Sequence, residues 1–295
     1  MAVCVLCPRM CGADRQKGEH GFCGMGEMPV VARVAPHPFE EPCLSGTQGS
    51  GTIFFSGFSL RCVFCQNRTI SRGQVGRQMT PDELAAEMLS LQERDIHNIN
   101  LVTPTHFTDK IAKALSIAKP RLHIPVVWNS SGYERPEILR TLQDLVDIYL
   151  PDLKYASHQL AHDYSSAPDY PEVAMAAISE MVRQRGAIRF SDDGLCQSGV
   201  IVRLLVLPGQ RKDAIESLRR LAQVVNPADI RLSLMSQYTP EFALDAPYDN
   251  LHRRLTRFEY DSVVNQAIAL GFDGYLQDAS SATAAYTPDF EKEQL

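Results

Sequence analysis

The stretch Thr52-Ile53-Phe54-Phe55-Ser56-Gly57-Phe58-Ser59-Leu60-Arg61-Cys62-Val63-Phe64-Cys65-Gln66-Asn67 decides the fold. Its first four residues are apolar or β-branched and predict a buried β-strand. Small and polar residues follow, which predicts a loop directly after that strand. Cys62 and Cys65 lie in this loop with two residues between them, a spacing typical of ligands to a metal or an iron–sulfur cluster. The stretch therefore predicts a strand that ends in a loop with two ligand-type thiols.

Length and composition indicate an ordinary globular protein. A chain of 295 residues is long enough for one large α/β domain with a small appendage. The net charge of −6 gives no electrostatic reason to expect nucleic acid or an anionic membrane as a partner. No run approaches the roughly 18 apolar residues of a membrane span, and residues 1–4 show no signal peptide. Eight cysteines without a secretion signal favour reduced thiols or metal ligands in the cytoplasm over disulfides.

Strand-like and helix-like segments alternate along the rest of the chain. Runs of strand length are 52–55, 98–102, 124–128, 146–150, 200–207, 232–235 and 274–276. Amphipathic segments between them predict helices at 80–91, 108–118, 134–145, 171–185, 212–225 and 260–270, and Thr80-Pro81-Asp82-Glu83 has the residues of a capping box. Such alternation predicts a parallel sheet, and six or seven units predict a partial or complete parallel (β/α) barrel. A doubly wound open sheet is the alternative, but no Gly-x-Gly-x-x-Gly follows the first strand.

In a parallel barrel, chemistry gathers in the loops that follow the carboxyl ends of the strands. Polar residues occur in several of these loops, including 103–106, 129–133 and 151–155. Asn129, Asp152 and Lys154 are therefore candidate ligand-binding residues. Local roles are the alternatives: Asn129 could form an Asx-turn or cap a helix, and Asp152 could pair with Lys154.

The first 25 residues contain four more cysteines: Cys4, Cys7, Cys11 and Cys23. Close cysteines followed by a distant one suit a tetrahedral thiolate site, which could also stabilise a segment with too little apolar mass to fold alone. Four small buried thiols are the alternative, and spacing does not distinguish zinc from an iron–sulfur cluster. Cys43 is a candidate substitute ligand for the Cys62 loop, whereas Cys196 is isolated in the sequence. We expect a Cys-rich segment at 1–45, a barrel at 46–280 and a tail at 281–295.

Several longer motifs resemble one family. They are 7–12 (CPRMCG), 37–42 (HPFEEP), 49–57 (GSGTIFFSG), 62–67 (CVFCQN), 98–106 (NINLVTPTH) and 147–155 (DIYLPDLKY). Together they are similar to the radical S-adenosylmethionine (radical SAM) proteins related to pyruvate formate-lyase activating enzymes, in the branch with an amino-terminal Cys-rich segment. The resemblance implies a partial β/α barrel, a 4Fe–4S cluster and SAM. It also implies reductive cleavage of SAM to a radical that abstracts hydrogen from a protein or small-molecule substrate, with a reductant as a further partner.

The resemblance assigns roles to individual residues. In that family three cysteines spaced C-x3-C-x2-C bind the cluster, and Cys62 and Cys65 match the second and third of them. The first position is Phe58, which cannot ligate iron. Asn129, Asp152 and Lys154 match loops that resemble SAM-contacting positions. Two functions are therefore expected: an activating-enzyme-like radical SAM enzyme whose SAM cleavage is impaired by Phe58, or a catalytically degenerate relative that acts as a metal-binding or regulatory protein.

Overall fold

The structure is a computed structural model and describes residues 3–73, 75–277 and 290. Apart from Phe290, the tail expected at 281–295 lies outside the described residues. Within the described ranges, no helix is both long and apolar enough to cross a membrane.

Ten strands of the described residues form one sheet. Their bounds are β1 Val30–His37, β2 Ser50–Phe55, β3 Arg77–Gln78, β4 Ile99–Val102, β5 Val126–Ser130, β6 Ile148–Pro151, β7 Arg189–Phe190, β8 Cys196–Leu205, β9 Arg231–Met235 and β10 Gly274–Leu276. The order is β10-β9-β8-β6-β5-β4-β2-β1-β3, with β7 paired to β8. All neighbours from β2 to β10 along this order are parallel, whereas β1 and β7 pair antiparallel. The mostly parallel sheet confirms the predicted fold class of a partial radical SAM-type barrel.

Helices connect the parallel strands. Their bounds are α1 Pro42–Ser45, α2 Arg68–Ser71, α3 Pro81–Gln92, α4 Thr108–Ala118, α5 Pro136–Arg140, α6 His158–Ser165, α7 Tyr170–Arg185, α8 Arg211–Val224 and α9 Arg257–Ala269. The capping box predicted at Thr80 and Glu83 is present: the Thr80 hydroxyl accepts from the Glu83 N–H and the Glu83 carboxylate accepts from the Thr80 N–H. The helix predicted over 134–145 is wrong in length, since only α5 forms. Pro136 opens α5, and Glu134, at the start of the predicted range, instead turns its side chain into the protein interior.

The short helix α1 fills the amino-terminal end of the barrel interior. Leu44 is fully buried and packs in a small apolar cluster with Val127, Ile148 and Ile201 from the inner faces of three strands. The Asn98 carboxamide donates a hydrogen bond to the Leu44 carbonyl at 2.8 Å, which ties α1 to the residue that precedes β4. The interior beyond α1 is open, and Glu40 and Glu41, which precede α1, border that space.

The amino-terminal residues are joined to the barrel through β1. This strand is hydrogen-bonded to β2 over six paired positions, so part of the predicted 1–45 segment belongs to the same sheet as the predicted 46–280 domain. The proposed division at 45 and 280 stays a prediction about domains.

Candidate functional site

A cavity of about 800 Å³ opens at the carboxyl ends of the parallel strands. All residues predicted for the barrel site line it: Phe58, Cys62, Cys65, Asn129, Asp152 and Lys154. The cavity is large enough for a cofactor of nucleotide size. The residues predicted from the rule that parallel strands gather function at their carboxyl ends therefore lie around one cavity, and their binding roles stay predictions.

Asn129 is the last inward-facing residue of β5 and has an available side chain. The residue is only 8% exposed, and its backbone carbonyl accepts a hydrogen bond from the Thr103 N–H at 2.8 Å. Its carboxamide has no hydrogen-bond partner among the described residues. A buried polar group facing a cavity without a partner is costly unless a ligand or water satisfies it. The Asn129 side chain is therefore available to hydrogen-bond a ligand or water in the cavity.

Asp152 and Lys154 form an ion pair at the end of β6, with 2.5 Å between Oδ2 and Nζ. Burial lowers the pKa of Lys154, but the Asp152 carboxylate outweighs burial and holds that pKa above its usual value. The thiols of Cys62 and Cys65 lie within electrostatic range of the Lys154 ammonium group. The local pairing weighed as an alternative is thus present, and the same pair also borders the cavity.

Tyr170 and Gly132 lock the loops that carry these residues. The Tyr170 hydroxyl is 2.8 Å from the carbonyl oxygens of both Ser131 and Asp152, and it accepts from the Lys154 N–H at 3.1 Å. Gly132 has φ +72°, and a Cβ there would lie 2.3 Å from the Asp152 carbonyl oxygen. Only glycine fits this position, so the two loops are held in a fixed relation.

Glu134, which sequence reasoning missed, organises the loop after β5. Its buried carboxylate accepts from Trp128 Nε1 and Ser130 Oγ at 2.6 Å each, and from Thr105 Oγ1 at 3.1 Å. Burial raises the pKa of Glu134, and the three donors oppose that effect. No sequence signal marked Glu134, because its partners come from β5 and from the separate loop at 105.

A second charged group, also missed, borders the cavity beside β8. The Arg203 guanidinium donates two hydrogen bonds to the Glu41 carboxylate at 2.6 and 2.7 Å, and another to Glu40. Burial raises the pKa of Glu41, but the charge of Arg203 and the hydrogen bonds to the carboxylate together hold that pKa below its usual value. The motif at 37–42 therefore supplies the two acidic partners of the buried Arg203 side chain.

The Cys62 loop (residues 56–67) is anchored by its backbone. The N–H groups of Arg61 and Val63 donate to the carbonyls of Ser165 and Tyr164 at 3.1 and 2.9 Å. These acceptors lie at the end of α6, which was not predicted from the sequence. The Cys62 thiol is 3.0 Å from the Ser165 hydroxyl, and burial raises the pKa of Cys62 to about 11. These hydrogen bonds hold the Cys62 loop against α6, where it forms part of the cavity wall.

The family follows from a direct comparison. The sequence profile described as the radical SAM superfamily matches residues 52–222, which is more than half of the chain. The chain belongs to the radical SAM superfamily. The matched region begins within β2 and includes the Cys62 loop and the loops of Asn129 and Asp152.

Individual proteins are similar over much of the chain. An uncharacterised protein of Methanocaldococcus jannaschii is 29% identical over 280 residues, which cover 92% of this chain and 75% of that protein. The structure of SuiB from Streptococcus suis, with S-adenosylmethionine bound, matches with a TM-score of 0.51 at 12% identity, covering 75% of this chain and 48% of SuiB. A domain of pyruvate-formate lyase-activating enzyme from Bacteroides vulgatus matches with a TM-score of 0.42 at 13% identity, covering 58% of this chain and 91% of that domain. The likeness to SuiB shows a shared fold.

Radical SAM membership implies a 4Fe–4S cluster and SAM, and the residues at the Cys62 loop fit the cluster incompletely. The cavity wall there presents two thiols, Cys62 and Cys65, and the phenyl ring of Phe58. Phe58 is half-buried and packs against the hydrophobic core. Among the described residues, no three His, Cys, Asp or Glu side chains are gathered closely enough to hold a metal ion. The three-thiolate set of the radical SAM loop is therefore not present.

Cys43, the candidate substitute, lies elsewhere. It does not line the cavity; its thiol is hydrogen-bonded with Cys196 and Tyr275 in the apolar cluster around α1. Cys196, which stands alone in the sequence, lies next to Cys43 in the fold. Neither cysteine is placed to complete the thiols of the Cys62 loop.

The four amino-terminal cysteines form a second, separate group. Cys4, Cys7 and Cys23 are buried and Cys11 is exposed, and none of the four lines the cavity. Each lies within electrostatic range of at least two of the others. Burial raises the pKa of Cys7 to about 11. The predicted grouping is thus present, although the sulfurs do not already converge on one point.

Proposed function

We propose that this chain is a radical SAM protein of the activating-enzyme-like branch with an amino-terminal Cys-rich segment. It binds SAM in the barrel cavity, and its reductive cleavage of SAM is impaired because Phe58 replaces the first cysteine of the cluster loop. The observation that carries the proposal is one cavity lined by Asn129, Asp152 and Lys154 but by only two thiols. Its partners are an unidentified protein or small-molecule substrate and, where the chain is active, a cytoplasmic reductant.

The cavity residues support SAM binding in distinct ways. The unpartnered Asn129 carboxamide can donate to and accept from ribose hydroxyls. The Asp152 and Lys154 side chains can contact the ammonium and carboxylate of the methionine moiety, since opposite charges pair well where solvent is partly excluded. Gly132 and Tyr170 hold those two loops in place without depending on the cluster.

The alternative function is a catalytically degenerate relative that acts as a metal-binding or regulatory protein. The packing of Phe58 against the core favours it, because that position now contributes apolar burial instead of a ligand. SAM binding by itself fits both functions, whereas SAM cleavage fits only the first.

We expect cluster-free protein to bind SAM weakly, in roughly the high-micromolar to millimolar range of a few hydrogen bonds with partial burial. Asp152→Ala should weaken binding by about 1–2 kcal/mol, the scale of a charge-assisted hydrogen bond. Isothermal titration calorimetry with SAM measures both values. Asp147→Ala is the matched control, because Asp147 pairs with Lys119 at 2.7 Å at the opposite end of β6 and outside the cavity. Absence of binding up to millimolar SAM, or equal effects of the two variants, would contradict SAM binding at this site.

The proposal includes a metal ion or cluster at Cys4, Cys7, Cys11 and Cys23. Because none of them lines the cavity, a Cys62→Ala/Cys65→Ala variant should keep the metal bound by the amino-terminal thiols. Elemental analysis of anaerobically purified protein measures this, together with the rate at which protease cuts the first 30 residues. Metal-free protein with unchanged proteolysis would show that no separate site exists.

A further inference from the structure

The four amino-terminal cysteines have similar backbone surroundings. Each sulfur lies near the backbone N–H two residues later, and that N–H lowers the pKa of the thiol; the N–H groups belong to Leu6, Arg9, Ala13 and Met25. An N–H group near a sulfur stabilises a thiolate more than a neutral thiol, which accepts only weakly. N–H groups beside all four sulfurs therefore suit four thiolate ligands.

Arg15 lies among these thiols and has no acidic partner in the described part of the chain. The residue is 9% exposed, its Nη2 is 3.0 Å from Cys23 Sγ, and its Nη1 donates to the His106 carbonyl at 2.6 Å. Its Nε has no hydrogen-bond partner. A buried guanidinium needs negative charge nearby. Four thiolates around one divalent cation carry a net charge of −2 and would supply it.

The close approach of two of these thiols favours one ion over a cluster. The Cys4 and Cys11 thiols lie next to each other. A Cβ at Gly21 would lie 2.9 Å from Cys11 Sγ and 3.7 Å from Cys23 Sγ, so glycine leaves room for both. A tetrahedral zinc site with Zn–S bonds of about 2.3 Å keeps its sulfurs about 3.8 Å apart, which suits neighbouring thiols such as Cys4 and Cys11. The four sulfurs do not yet converge in the described residues, so binding of the ion must draw Cys7 and Cys23 toward this pair.

The segment that carries these thiols packs on the Cys62 loop on both sides of Phe58. Arg9 Nε donates to the Ser59 carbonyl at 2.8 Å, and Arg61 Nη2 donates to the Phe22 carbonyl at 2.6 Å. A Cβ at Gly57 would lie 2.4 Å from Met25 Cγ, which shows how closely Met25 approaches the loop. Whatever orders the thiol segment (residues 3–28) therefore also supports the wall of the cavity.

We propose that Cys4, Cys7, Cys11 and Cys23 hold a single tetrahedral zinc ion, and that this ion fastens the thiol segment against the Cys62 loop. It rests on the amino-terminal metal binding proposed above and adds the kind of ion and what the ion holds together. Metal binding supplies folding free energy to a short segment, so loss of the ion should loosen both the segment and the loop.

Full-length protein stripped with a chelator and titrated with Co²⁺ tests the coordination. We expect one Co²⁺ per chain with the visible absorption of tetrahedral thiolate coordination, displaced by Zn²⁺. Cys11→Ser removes a ligand and should lower the affinity for Co²⁺ at least about tenfold. Loss of a residue that only contacts a ligand already costs about 10–100-fold in metal affinity. Cys196→Ser, a buried cysteine outside the segment, should leave the affinity unchanged. An octahedral spectrum would contradict a single tetrahedral ion. So would several irons with sulfide that the Cys62→Ala/Cys65→Ala variant retains. Absence of any bound metal would contradict the amino-terminal metal site itself.

Hydrogen exchange with Zn²⁺ or with chelator tests the coupling. Zn²⁺ should slow amide exchange in residues 3–28 and in residues 56–67, and Cys11→Ser should require a higher Zn²⁺ concentration for both effects. Slowing confined to residues 3–28 would overturn the fastening role and leave the ion in place. Calorimetry with SAM on the same samples reports separately on the cavity, so failure of SAM binding is distinguishable from failure at the thiol segment.

Discussion

A Phe58→Cys variant, reconstituted anaerobically with iron and sulfide, should bind more iron per chain and form more 5′-deoxyadenosine from SAM than the wild-type protein. Phe58, Cys62 and Cys65 border the same cavity, and cysteine is smaller than phenylalanine, so the third thiol fits without displacing the core. We expect a rise of about tenfold or more in both quantities, because loss of even a second-shell partner costs about 10–100-fold in metal affinity or activity. Iron and sulfide assays and chromatography of the nucleoside product measure the two effects.

Phe58→Ala is the matched control for this variant. It removes the phenyl ring and opens the same space without supplying a thiolate. If Phe58→Cys binds no more iron than Phe58→Ala, the size of the phenyl ring is what prevents cluster binding, and residue 58 does not act as a ligand. If iron rises without 5′-deoxyadenosine, the cavity has lost the ability to present SAM, and the degenerate relative becomes the better description.

The fold was predictable because its signals are local. Each of the seven predicted strands overlaps a strand of the parallel array from β2 to β10, since a buried parallel strand is a continuous apolar run. The strand β1 was missed: its sequence has no clear alternation and its antiparallel pairing depends on β2. The helix α6 was missed because its first residues, His158 and Gln159, are polar and face outward.

The cavity was predictable in outline and its supporting contacts were not. Strand ends marked Asn129, Asp152 and Lys154, since the position of a loop in a barrel follows from chain order alone. Tyr170 and Arg203 act through partners far away in the chain, so no spacing in the sequence reveals them. Glu134 has two nearby partners, Trp128 and Ser130, but the pattern of these three residues is not a recognisable motif. The charged motif at 37–42 was visible, but the residue it needs, Arg203, is more than 160 positions later.

Arg203→Met should destabilise the protein more than any other single change considered for the cavity. The side chains of Glu40 and Glu41 are 7% and 5% exposed, and Arg203 is the cation that both contact. Removing one partner of a buried ion pair leaves uncompensated buried charge and costs about 3–5 kcal/mol. Chemical denaturation at pH 7 measures the free energy of unfolding. Arg257→Met, which affects an exposed pair with Asp261, should change it by less than about 0.5 kcal/mol.

The pH dependence should change sign in the same variant. In the wild-type protein the pKa of Glu41 lies below its usual value of 4.5, so its contribution is present above that pH and is lost as the pH falls. Without Arg203, only weaker hydrogen bonds, including one to Ser233, oppose burial, and burial should raise the pKa of Glu41. The variant should therefore gain stability as the pH falls from 7 toward 5. Glu41→Gln in the Arg203→Met background should restore part of the loss at pH 7 and flatten that gain. If the stability of the Arg203→Met variant stays constant or falls between pH 7 and pH 5, the two carboxylates reach solvent and Arg203 is not what neutralises this wall of the cavity.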